Sequence, residues 1–334
     1  MSVELAVAAA MFAGVIAYAL FGGADFGTGF YDLTAGGTRR GAELRTQVDH
    51  SIGPVWEANH VWLIYVMVMW WTGFPQAFAA AMNTLILPML FALLGIVLRG
   101  AAFAFRKYAA TLTQARLFGA IFATSSLITP FFLGAAVGAI VSGRVPIEGR
   151  GEVWSSWLHS TSILGGLLAV GTSSFLAGTF LVADATRAGH HDLGVALRMR
   201  TIGVGIATGS VALLGLVPLR LDAPTLWDGL LGRALPMVML SALAGVATLA
   251  LLWTRRYRLA RITAVLAVFG VVVGWGLAQY PWMLVDQIRV VDAAGAPATL
   301  RALLVAVAIA AVIVGPALGY LYTLTQSPTW TDSY

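Results

Sequence analysis

The chain has 334 residues, of which 59% are hydrophobic and 10% charged, and it contains no cysteine. Soluble domains carry about 25% charged residues, so this composition, with a mean hydropathy of +0.84, excludes a water-soluble fold. The missing thiols exclude disulfides, Cys-ligated iron–sulfur clusters and Cys-rich zinc sites, and the net charge of +5 reads as basic loops of a membrane protein rather than a nucleic-acid surface.

A membrane-spanning helix takes about 20 apolar residues. In chain order such stretches fall near 4–31, 54–72, 76–98, 116–141, 158–183, 200–218, 234–253, 260–280 and 302–324. None shows the alternating pattern of a membrane β-barrel. The expected fold is therefore all-α, a single integral membrane domain over 1–334 with about nine transmembrane helices. The segment Met1–Ala10 carries Glu4 and no basic residue, unlike a cleaved signal peptide, so the first span is expected to stay in the mature protein. Spans two and three are joined only by Thr72–Pro75, where Gly73 and Pro75 beside Trp70 and Trp71 predict an interfacial hairpin.

Orientation follows from the basic residues. The loops after spans one, three, five and seven hold fourteen Lys and Arg, counting Arg99 and Arg106 among them, and the opposite loops hold six. Positive charge stays inside, so the N-terminus is expected outside and the C-terminus in the cytoplasm. Trp154, Trp157, Trp227 and Trp282 then fall at the outer interface, where aromatic anchors belong. The first span ends GADFGTGFYDLTAGG and the fifth ends SSFLAGTFLVADATRAG. This likeness suggests two four-helix bundles as an internal repeat over 1–141 and 158–280, plus a ninth helix at 302–324.

Ionisable side chains inside a membrane are costly and call for a paired or functional explanation. Asp25 lies near the inner end of span one and Glu57 near the inner start of span two, at similar depth. Neighbouring antiparallel helices would bring the two together. Glu57 and His60, at i and i+3, share a helix face, with Trp56 and Asn59 beside them. Such a cluster suits proton transfer; the alternative is that both acids reach the interface and stay hydrated. Asp32 is expected on the solvated surface. His60 and His159 fall at opposite ends of their spans, too far apart to ligate one haem, so no metal or cofactor is expected on this chain, with His60 and Met67 or Met69 the one axial pairing left open. Gly23/Gly27 and Gly134/Gly138 make GxxxG spacings that favour close helix approach.

The runs GADFGTGFYDL at 23–33 and SIGPVWEANHVWLI at 51–64, followed by FP at 74–75 and LRG at 98–100, resemble subunit II of the cytochrome bd-type quinol oxidases. Asp25, Gly27 and Gly29 match the family's first motif, and Pro54, Trp56, Asn59 and Trp62 match its second. The chain departs from the family pattern at Gly22, where an acid is frequent, at Glu57-Ala58, where Asp-Gly is usual, and at His60. The resemblance implies a heterodimer in a bacterial inner membrane. A partner subunit I carries haem b and haem d and oxidises quinol, and dioxygen is reduced to water. It also implies that Asp25, Glu57, Asn59 and His60 contribute to a proton path, with Gly27, Gly29, Trp56 and Trp62 packing toward subunit I. A proton- or cation-coupled transporter is the competing reading, and it expects polar groups near the midplane and broken helices.

Overall fold

The computed structural model describes residues 2–37, 41–52, 56–106 and 108–325. Arg39, Arg40, Pro54 and Lys107 lie outside the described residues. The first span starts at α1 (Val3–Ala17), where the Ser2 side chain accepts from the Leu5 amide and Glu4 sits in the positive first turn. It runs through a π turn, Tyr18–Gly22, into α2 (Gly23–Leu33). A short polar helix, α3 (Ala42–Ile52), leads to α4 (Trp56–Gly73).

At Phe74 the chain bends by 118° into α5 (Pro75–Thr84). Proline at the first helical position, where its absent N–H costs nothing, starts the new direction. Span three then begins at α6 (Ile86–Arg106). This corrects the expected span over 76–98: residues 75–84 form a separate helix, bent away from α4.

The remaining spans are α7 (Leu112–Val141), α8 (Ser160–Arg187), α9 (His191–Leu214), α12 (Leu235–Trp253), α13 (Tyr257–Gln279) and α14 (Pro297–Thr325). Two short helices, α10 (Leu216–Asp222) and α11 (Pro224–Leu231), join α9 to α12. A two-stranded hairpin of β1 (Trp282–Leu284) and β2 (Ile288–Arg289) precedes α14. Among the described residues eight helices are each long and apolar enough to cross a membrane, and the bent α4–α5 pair makes a ninth.

Helix α8 is the centre of the bundle, packing on α2, α7, α9 and α13. Lipid is as apolar as leucine, so helices associate through close van der Waals contact of small side chains rather than through burial from water. The glycines show this directly. A Cβ on Gly27 would collide with the Ser173 backbone, one on Gly134 with Gly165, and one on Gly138 with Ser162. Both GxxxG spacings thus press against α8. Tyr31 reaches across α8 to share a hydrogen bond of 3.1 Å with Thr201 of α9. By contrast α14, which touches α1 and α4, has none of its most apolar stretch buried.

Candidate functional site

Helix α2 presents Asp25 to the interior, where it is 3% exposed. Its counter-charge is Arg99 on α6, 1% exposed, with Nη2 2.6 Å from Asp25 Oδ1. The same nitrogen donates to the Asp25 carbonyl at 3.4 Å, and Nε donates to Ser126 Oγ at 3.1 Å. The guanidinium lies between two rings, 4.9 Å from the Phe26 centroid and 5.1 Å from that of Phe122. This arrangement satisfies a cation in a dry site by charge, hydrogen bond and ring quadrupole together. Arg99 is therefore not a loop charge, as its place in the basic count assumed; α6 continues past it for another seven residues to Arg106.

Asp25 and Glu57 do not meet. Glu57, in the first turn of α4, points outward and is exposed. With Val61, Ile64, Val68 and Trp71, also exposed, it forms one stripe along α4 at helical spacing. Asn59 and His60 follow Glu57 on α4 and turn away from that stripe. Asn59 is 2% exposed and donates to the Phe21 carbonyl at 3.4 Å, which ties α4 to the π turn of span one. His60 is half-buried, its ring 5.6 Å from Phe26, 6.2 Å from Trp56 and 6.5 Å from Tyr18. Trp56 also packs on Phe103 of α6 at 5.6 Å, and Trp62 on Tyr65 at 6.3 Å.

Gly27 and Gly29 face this chain's own helices, Gly27 against Ser173 of α8 and Gly29 against Ser126 and Ala123 of α7. They are internal contacts, which corrects the expectation that they pack toward a partner. Asp32 is also corrected. It is 3% exposed and held by Arg45 at 3.0 Å and Arg106 at 2.6 Å, which locks α2, α3 and α6 together at one end of the bundle. An arginine pair supplied by a loop helix and by the end of α6 makes burial of this acid tolerable.

At the other end, Asp222 of α10 gathers Arg144 at 2.5 Å, Thr161 Oγ1 at 2.6 Å and His159 Nδ1 at 2.8 Å. His159 Nε2 lies 3.0 Å from Ser162 Oγ and 3.3 Å from Ser142 Oγ. Burial is the largest influence on His159 and lowers its pKa, against the pull of Asp222 and with a smaller push from Arg144. Sequence reading missed this cluster because Asp222 and Arg144 are 78 residues apart in sequence. Among the described residues no group of three His, Cys, Asp or Glu side chains converges as a metal site.

The comparisons agree with this architecture. A family model described as "Cytochrome bd terminal oxidase subunit II" matches residues 3–325. The curated "Cytochrome bd ubiquinol oxidase subunit 2" of Bacillus subtilis (strain 168) is 31% identical over 148 residues, 43% of this chain and 43% of that protein. The matched region thus spans less than half of that curated relative. A solved structure, "The structure of bd oxidase from Geobacillus thermodenitrificans", superposes with a TM-score of 0.80 at 22% identity, covering 98% of this chain and 99% of the other. That likeness carries the fold, and the family model carries the assignment: this chain belongs to the cytochrome bd terminal oxidase subunit II family.

Proposed function

We propose that this chain is the noncatalytic second subunit of a quinol:dioxygen oxidoreductase in a bacterial inner membrane. It packs beside a subunit I that carries haem b and haem d and oxidises quinol. We further propose that the N-terminus lies outside and the C-terminus in the cytoplasm, as the distribution of basic residues favours. Reduction of dioxygen to water consumes protons, and the α4 end of the bundle is where this chain can offer them. Glu57 is the surface group, Asn59 and His60 line the way inward, and Asp25 is the innermost carboxylate. Trp56 and Trp62 hold the walls.

The observation that carries this reading is the exposed Glu57 at the head of an otherwise apolar stripe on α4. A lone carboxylate facing hydrocarbon is costly, by about 2.5–3.5 kcal/mol on insertion scales at a helix centre and less toward the interface. A neighbouring protein with a polar route behind it fits this stripe better than lipid does. The transporter reading is not favoured, because the family model that matches residues 3–325 is that of an oxidase subunit.

The test is Glu57→Gln in the complex co-expressed with its larger partner. The expected result is slower quinol-dependent oxygen uptake with haem content and assembly unchanged. Unchanged turnover would remove Glu57 from the path.

A further inference from the structure

At the Asp222 end of the bundle, Thr225, Asp228, Gly229 and Arg233 line an open cavity of about 450 Å³, within the ~300–1,000 Å³ of small-molecule sites. Helix α11 supplies the first three, and the turn into α12 supplies Arg233. The frame of this cavity is fixed by its neighbours. Gly229 lies so close to α13 that a Cβ would collide with the Ala278 carbonyl. Thr225 Oγ1 donates to Asp286 in the β-hairpin turn, 3.0 Å from each carboxylate oxygen.

The two charged walls are not paired with each other. Asp228 is exposed and has no ion pair or side-chain hydrogen bond among the described residues. Arg233 is also exposed and has no carboxylate partner among them. Its Nη2 reaches the Ala278 carbonyl at 3.5 Å, and its guanidinium lies over Tyr280, 5.7 Å from the ring centroid. Most of its five N–H donors are therefore unused. An acid and a base that face one cavity without meeting are matched by a ligand that carries both signs.

The surroundings are those of a membrane interface. Arg220 lies over Trp227 and Arg289 over Trp282, and with Tyr280 they form the aromatic level at which headgroups sit. From Arg233 the chain enters α12, where Leu235, Val238, Met239, Leu243 and Val246 are all exposed on one helix face. Leu235 to Val246 rises about 16 Å, roughly half of a ~30 Å hydrocarbon core, which is the depth of one leaflet.

We propose that this cavity binds a phospholipid whose headgroup carries both a phosphate and a primary ammonium, the phosphoethanolamine class, with one acyl chain along α12. Arg233 donates to the phosphate oxygens, and Asp228 accepts from the ammonium. A purely anionic headgroup would meet Asp228, and Asp286 behind Thr225, as like charges. A quaternary choline offers Asp228 no N–H to accept. The site lies outside the residues assigned to the proton path and stands or falls independently of them.

The test is native mass spectrometry of the complex purified through this chain, stripped of lipid and reloaded with phosphatidylethanolamine, phosphatidylcholine and phosphatidylglycerol of identical acyl chains. One phosphatidylethanolamine is expected to be held several-fold more tightly than either competitor. Arg233→Gln should lower the number of bound phosphatidylethanolamines by one. Asp228→Asn should cut the preference for phosphatidylethanolamine over phosphatidylcholine several-fold. Equal retention of the three lipids, a preference for phosphatidylglycerol, or an unchanged lipid count and preference in R233Q and D228N would overturn the site. Soluble phosphoethanolamine that displaces the lipid at equal concentration would overturn the acyl-chain contact along α12. Haem content reports assembly of each variant, and should one fail to assemble, the other decides the headgroup.

Discussion

Two acids with arginine partners mark two different regions of this bundle. Asp25 and Arg99 meet in the dry interior, with side chains 2% and 1% exposed, whereas Asp222 and Arg144 meet at a helix end, 16% and 42% exposed. Their distances are nearly equal, 2.6 Å and 2.5 Å. What differs is the alternative open to each partner when the pair is broken. Arg144 has water at hand, while the protein groups around Asp25 and Arg99 are each other, two aromatic faces and Ser126. The inner pair is therefore the one on which the local fold depends.

The largest expected effect breaks the inner pair. Arg99→Leu leaves Asp25 buried without its counter-charge, at a cost of about 3–5 kcal/mol, measured as loss of thermal stability in detergent. Adding Asp25→Asn to Arg99→Leu should recover most of that loss, because the cost lies in the uncompensated charge rather than in the missing contact. A double variant as unstable as the single one would show that Arg99 acts through its ring contacts instead. Arg144→Leu is the matched substitution at the helix end. There, partial hydration limits the expected loss to about 1 kcal/mol or less, and a loss equal to that of R99L would erase the distinction between the two regions.

The smallest expected effect is on pH. His159 has its pKa lowered below the ordinary 6.5 by burial, so the folded state disfavours the added proton. Its contribution to stability is complete above about pH 6.5 and is lost as pH falls through the folded value. Melting curves of the solubilised protein should therefore fall on mild acidification, and His159→Gln should flatten that dependence. An identical pH profile in H159Q would place the acid-sensitive group elsewhere.

The spans were legible because a length of apolar sequence is the strongest signal that a membrane imposes. Their centres follow from composition. Helix α5 was not legible as a separate element, since Pro75–Thr84 is apolar and only the bend at Phe74 removes it from the span. Asp25 stood out as an acid inside an apolar run, but its partner did not. Arg99 looked like the charged end of a span, and the available clue was Arg106, one further span-ending arginine in the same helix. The π turn at Tyr18–Gly22 has no sequence signature at all. Glu57 was legible as a residue, yet its outward direction depends on the rotation of α4, which packing against α1, the π turn and α14 decides.

The most direct measurement is the visible absorption spectrum of the complex captured through this chain, recorded before and after quinol and then air. The account predicts a copurifying partner whose haem bands are reduced by quinol and reoxidised by dioxygen, together with quinol-dependent oxygen uptake. A chain that purifies without a haem-bearing subunit when both are co-expressed, and shows no such uptake, would contradict it.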